Sequence, residues 1–236
     1  MKLSQRLNSI VKMIKLHSKV ADIGTDHGYI PVYLYLNGIS DYIIASDVKS
    51  ASLNKAIDVI KKYNLSENII VRLGDGLSVL RPNEVDTAVI AGMGGILISD
   101  ILEKDKSIAS TVERFILQPM TASDHLRRYI YENGYLIVDE DLVFEKGKFF
   151  EIIAVEHGKG NVHDEIFYEI GEKLFQKRHP LLKDYISYKI GKLKKIFDEV
   201  SKSNESDLLK EDILNKIKKY EVLLYESEMP DNSRND

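Results

Sequence analysis

The chain has no cysteine and no tryptophan, and only 5 prolines in 236 residues. Without cysteine there can be no disulfide framework, no thiolate nucleophile and no thiolate metal site, which fits a reducing compartment. No apolar run approaches the roughly 20 residues that span a membrane. The opening residues 1–14 carry charges every few positions and lack the apolar core of a secretory signal. A strong charge of one sign is also missing: 33 Lys and Arg against 37 Asp and Glu leave a net charge of −4. Nucleic-acid binding therefore requires a local basic face. No grouping of His, Asp and Glu has metal-ligand spacing. The expectation is a cytoplasmic protein with no membrane contact, no metal and no obligate protein partner.

What is present is ordinary globular material, 44% hydrophobic and 30% charged, enough for one α/β domain and an appendage. Leu3, Leu7, Ile10, Val11 and Ile14 recur at helical spacing, which predicts an amphipathic first helix. Short β-branched runs then alternate with helical stretches. Strands are expected near 20–23, 42–45, 69–73, 87–90 and 115–117, and helices near 30–36, 50–63, 96–102 and 123–132. That rhythm implies a Rossmann-like α/β fold with a mainly parallel sheet. Runs 135–143 and 149–155 are separated by five residues containing Gly147, which predicts a closing antiparallel hairpin. Methyltransferase sheets of the Rossmann-like class end in this way, whereas dehydrogenase sheets stay parallel. A glycine-interrupted stretch at 156–161 suggests a boundary, dividing the chain into 1–158, a helical domain at 159–230 and a polar tail at 231–236. In the helical part Leu182, Ile186, Ile190, Leu193 and Phe197 form one apolar stripe, and Leu209, Ile213, Ile217, Tyr220 and Leu224 another. Joined through polar residues 201–206, they predict a helical hairpin resembling a short coiled coil.

Asp22-Ile-Gly-Thr-Asp-His-Gly28 follows the first strand and opens a helix. A pyrophosphate would require bare amides facing it, and Asp26 in mid-turn opposes that charge. Asp22 and Asp26 suit a cationic cofactor instead, and S-adenosyl-L-methionine is the candidate, with Gly24, Thr25 and Gly28 shaping its loop. Asp47 follows the second strand at the usual distance for a carboxylate that grips ribose hydroxyls, with Val48 beside it. After the third strand, Gly74 and Gly76 flank Asp75, which can accept from an adenine amino group. Strand-end acids also cap helices, but three after three successive strands share the edge where open α/β sheets bind ligands. Ala91-Gly-Met-Gly-Gly95 ends the fourth strand, with Ala91, Gly92, Met93 and Gly94 on the cofactor side and Gly95 toward the acceptor. These glycines either let a flat base approach or merely allow the next helix to pack closely. An Asn/Asp-Pro-Pro-aromatic segment is missing here, which argues against transfer to an exocyclic adenine amine. His27 lies in the same loop, and Gln118-Pro119 closes the fifth strand, where the amide can orient a base or cap a helix.

Between residues 173 and 195 stand eight Lys or Arg and one acid, Asp184, interleaved with Tyr185 and Tyr188. Such a stretch suits a phosphate backbone with exposed bases, or is a solvated helix face balanced by neighbouring acids. Lys177, Arg178, Lys189, Lys192 and Lys195 are the candidate contacts, with Arg6 as an extension from the first helix.

In order along the chain, Ala21-Asp-Ile-Gly-Thr-Asp-His27, Val71-Arg-Leu-Gly-Asp-Gly-Leu77, Ile90-Ala-Gly-Met-Gly-Gly95, Leu117-Gln-Pro119 and Glu145-Lys-Gly-Lys-Phe-Phe-Glu-Ile152 resemble the bacterial tRNA (adenine(22)-N1)-methyltransferase family. The likeness covers about residues 3–155, and the helical tail is similar in architecture. It implies S-adenosyl-L-methionine as donor, a D-loop adenine of tRNA as acceptor, and Asp26 and His27 at the reacting base. Met120 departs from the Asn that members often carry there. Two other readings follow from the residues: a non-catalytic module holding cofactor and RNA, or a small-molecule methyltransferase with a helical dimerisation device.

Overall fold

The computed structural model describes residues 1–202 and 207–229. The chain divides into two compact units, 1–161 and 162–236.

The first unit opens with α1 (Gln5–Lys12), whose first turn is capped by the Ser4 hydroxyl accepting from Leu7 N. Then follow β1 (Val20–Ile23), α2 (Tyr29–Leu36), β2 (Ile43–Asp47), α3 (Ser50–Lys62) and β3 (Ile69–Leu73). A 3-10 turn at Gly76–Val79 leads to β4 (Thr87–Met93), α4 (Gly95–Lys104), α5 (Lys106–Ala109), β5 (Arg114–Pro119) and α6 (Ser123–Glu132). The long strands β6 (Tyr135–Glu145) and β7 (Lys148–His157) complete it. Seven strands form one sheet in the order β3-β2-β1-β4-β5-β7-β6. The first five are parallel, and β7 enters antiparallel between β5 and β6. This is the expected Rossmann-like sheet with its terminal hairpin.

Both faces of the sheet are covered, which is why its central strands are apolar throughout rather than alternating. Ala21, Ile23, Ala88, Ile90, Phe115 and Leu117 pack under α4, α5 and α6. Val20, Ile43, Ala45, Val89 and Ile116 pack under α1, α2 and α3. Register sets the site: Ile23 pairs with Ser46 and Ile90, and Asp47 with Leu73, so four carboxyl ends lie along one edge. The hairpin differs from expectation in length. Lys146 and Gly147 both have positive φ, 51° and 76°, a two-residue turn whose twist matches its strands. β6 and β7 therefore run into the segment expected as loop, ending at Glu145 and starting at Lys148.

The second unit contains α7 (Ile166–Ile170), α8 (Glu172–Gln176), α9 (Leu182–Lys202) and α10 (Asp207–Glu228). Gly171 at φ 90° separates the first two. The stripes are partly as expected. Leu182, Ile186, Ile190, Ile213, Ile217 and Tyr220 are buried, but so are Tyr185 and Leu223, while Leu209 is exposed. Two facing helices bury only a narrow seam, and α7 adds cover where the Tyr220 hydroxyl donates to Glu169 and Lys216 pairs with Glu169 at 2.7 Å. Residues 203–206 of the expected joint and the expected tail at 231–236 lie outside the described residues.

Candidate active site

The loop after β1 is tied down by its own backbone. Gly24 N and Thr25 N both donate to Ser46 O at 2.8 Å, and Gly28 N donates to Thr25 O at 3.0 Å. Gly24 has φ 79°, a left-handed conformation that favours glycine, and the Met93 side chain of β4 packs against it. Asp26 sits at φ 42°, and Gly28 packs on Ala56 of α3.

Asp22, Asp47 and Asp75 lie at successive strand ends, each in a different environment. Asp22 is buried, and desolvation pushes its carboxyl up to about 6; the Thr25 hydroxyl opposes the rise and the Asp47 charge adds to it. Asp47 accepts from Lys49 N at 2.8 Å and Asp26 N at 3.4 Å, which leaves further lone pairs for a ligand. Asp75 is exposed and paired with Lys104 of α4 at 2.6 Å. Asp26 is half exposed, with one oxygen 3.2 Å from His27 Nε2 and the other 3.2 Å from Lys55 Nζ. The His27 and Tyr29 rings stack, with centroids 5.3 Å apart and planes inclined by 13°.

On the other side of the edge, Gly94 N-caps α4 and Gly95 N donates to Thr121 O at 2.7 Å. A Cβ at Gly95 would meet Ala122 O at 2.1 Å, whereas Gly92, at φ 79°, faces open space. Close packing, one of the two uses the sequence left open, is therefore what Gly95 serves, whereas Gly92 is called for by its left-handed backbone. Gln118 is fully buried; its amide donates to Pro119 O at 2.8 Å and its oxygen accepts from Arg6 Nη1 at 3.2 Å. Arg6 also lies over the Phe150 ring at 5.1 Å and reaches Met120 Sδ at 3.5 Å.

These parts enclose a cavity of about 550 Å³. Of the residues expected from sequence, Arg6, Asp22, Gly24, Thr25, Asp26, His27, Asp47, Val48, Gly74, Asp75, Gly76, Ala91, Gly92 and Met93 line it. Gly28, Gly94, Gly95, Gln118 and Pro119, also expected there, do not line it. Leu7, Tyr29, Lys49, Ser52, Leu97, Ile101 and Met120 also line it and were not foreseen. Tyr29 was signalled by its place directly after the loop; nothing in the pattern marks Leu97 or Ile101 as other than core.

The lining fits a cationic nucleoside. The Thr25 hydroxyl is buried in the lining beside the Asp22 carboxyl, where a bound polar group can be received. Asp26 and Asp75 each face a lysine, but Asp22 and Asp47 form no ion pair among the described residues, and their charge repels a pyrophosphate and attracts a sulfonium and an amine. Exposed Val48 and Leu97 offer apolar contact for an adenine ring. Among the described residues no group of three or more His, Cys, Asp or Glu could hold a metal, and no helix is long and apolar enough to cross a membrane.

In the second unit the basic stretch is partly neutralised. Lys183 pairs with Glu228 and Lys194 with Glu221. Arg178 donates to Met229 O, and Lys189 Nζ to Glu169 O. Lys192 lies over the half-exposed Tyr188 ring at 4.7 Å, and Lys177 and Lys195 are exposed. Tyr185 is buried and cannot stack on a base, because it falls on the α9 seam one helical step from Leu182.

A family model described as tRNA (adenine(22)-N(1))-methyltransferase matches residues 20–222. The tRNA (adenine(22)-N(1))-methyltransferase of Bacillus subtilis (strain 168) is 31% identical over 228 residues, 94% of this chain and 96% of its own. Streptococcus pneumoniae Sp1610, solved in complex with S-adenosyl-L-methionine, superposes with a TM-score of 0.86 at 30% identity, covering 94% of this chain and all of that one. M. capricolum TrmK, solved with S-adenosyl-homocysteine, gives 0.83 at 29% identity over 96% and 99%.

Proposed function

The chain belongs to the tRNA (adenine(22)-N(1))-methyltransferase family, and we infer that its cavity holds S-adenosyl-L-methionine and presents the donor to N1 of adenine 22 in tRNA. The observation that carries the reading is the convergence of the four loops after β1, β2, β3 and β4 on one acid-lined cavity. Asp47 would take the ribose hydroxyls, Asp75 the adenine amine after releasing Lys104, and Asp22 with Thr25 the cationic end. When bound, the donor supplies an electrophilic methyl group.

Neutral adenine attacks through an in-plane lone pair on N1 and has no proton there to lose, so the protein needs no strong general base. Its residues must expose N1, align it and stabilise the cation left on the base. Asp26, half exposed at the mouth with acceptor capacity beyond His27 and Lys55, would accept from the exocyclic amine as it becomes acidic. His27 holds that carboxylate in place. Gly92 leaves room for the base, and the Arg6–Gln118 contact sets the far wall. Since N1 is engaged in pairing or stacking, the nucleotide has to be drawn out of the tRNA at an expense of a few kcal/mol. The helical unit, through Lys177, Arg178, Lys189, Lys192 and Lys195, would supply the electrostatic grip on tRNA, in the cytoplasm and without an obligate protein partner.

The test is transfer of labelled methyl to an unmodified tRNA transcript, followed by nucleoside mass spectrometry. We expect 1-methyladenosine with the A22 transcript and none when A22 is replaced by guanosine. Equal incorporation into both transcripts, or none into either, refutes the assignment.

A further inference from the structure

Tyr29 opens α2 but does not share its environment. Ile30, Pro31, Val32 and Leu34 are buried, whereas Tyr29 is 40% exposed and lines the cavity. Its exposure is not forced by a neighbour: its hydroxyl makes no hydrogen bond among the described residues, while Tyr35 of the same helix takes one from Asn68. The ring is held from the other side. His27 stacks on it almost in parallel, and His27 is fixed by Asp26. The loop thus presents two aligned rings at the mouth of a cavity that also contains the carboxylate assigned to the acceptor amine. Flat unsaturated surfaces left half exposed in an acid-lined cleft suit a neutral, flat heterocycle that can extend the stack.

We propose that the His27–Tyr29 pair is the stacking platform for the acceptor adenine, with Tyr29 as a substrate-binding residue that sets the plane of the base while Asp26 meets its edge. This rests on the acceptor assignment above. The platform acts through ring area, not through the phenol hydroxyl. It works on the extruded base, so it influences tRNA turnover and not donor affinity.

The experiment compares Tyr29→Ala and Tyr29→Phe in the full chain. Y29A is expected to lower kcat/KM for the tRNA transcript by about 5- to 150-fold, the range measured for losing one base–aromatic stack. Y29F should recover to within about threefold of wild type, since the ring remains. Binding of S-adenosyl-L-methionine, followed by calorimetry without tRNA, should be equal in all three proteins. A transcript carrying 2-aminopurine at position 22 gives an independent readout, because a base stacked on the platform stays quenched with wild type and Y29F but brightens with Y29A. The platform is refuted if Y29A matches wild type on tRNA. It is equally refuted if Y29F loses as much as Y29A, or if donor affinity falls by the same factor as turnover. In each of these cases wild-type methylation of A22 would still stand, whereas loss of A22 specificity in the wild type would remove the function itself.

Discussion

Asp22 is the one residue in the site whose ionisation is set against its fold. Its folded pKa, about 6, lies above the ordinary 3.8, so between those values the folded chain holds a proton the unfolded chain has released. Stability then falls as pH rises through that window and is level above it, with a penalty of about 3 kcal/mol at 1.36 kcal/mol per unit. Asp22→Asn removes the ionisation, and urea titrations should show the variant gaining on wild type between pH 4 and pH 7.5 by that amount. A stability difference independent of pH would mean that Asp22 ionises normally. At this scale the sequence exposed the acids and glycines well, because each follows a β-run and strand ends share an edge. It did not expose Leu97 or Ile101, which stand at helical spacing like core residues and reach the cavity only because of the way α4 faces. It misassigned Tyr185, because a stripe of residues three and four apart leaves its margins undetermined.

Among elements, the joint between α6 and the closing hairpin carries the greatest internal stake. Arg127 is almost completely buried and donates to Glu140 of β6 at 2.8 Å and Glu151 of β7 at 2.6 Å. One guanidinium answers two carboxylates in a dry place, so removing it takes a charge partner from both. We expect Arg127→Met to destabilise the protein by about 3–5 kcal/mol, read as a lower urea midpoint with an unchanged slope; a loss below about 1 kcal/mol would show that water replaces the arginine. The order and type of the strands were legible from β-branched runs and helical spacing. Their ends were not: β6 and β7 extend to a two-residue turn because Lys146 accepts a left-handed conformation, and lysine gives no sign of that. The small helices α5, α7 and α8 have too few residues to show a period.

At the scale of the whole molecule the net charge of −4 conceals a selective distribution. Lys183 and Lys194, two of the eight basic residues of that stretch, are held by Glu228 and Glu221, while Lys192 and Lys195 are exposed. The double variant Lys192→Ala, Lys195→Ala should flatten the slope of log Kd for tRNA against log salt by about 1 to 2. An unchanged slope would place the phosphate contacts elsewhere. The change of period near residue 160 can be read along the chain, but which lysines are neutralised depends on α10 facing α9 and cannot. The pairing of Val20 with Thr87 has a temporal consequence. β1 acquires its inner neighbour only after β2, α3 and β3 have formed or at least been made, so closing that long loop is entropically the slow contact of the sheet. The cavity straddles this seam, with Asp22 and Asp47 on one side and Ala91 to Met93 on the other. During synthesis, therefore, no donor molecule can assist the early stages of assembly. The ligand can reward only a chain that has already made its central contact, and until then β1 offers a bare apolar edge to any other strand in reach.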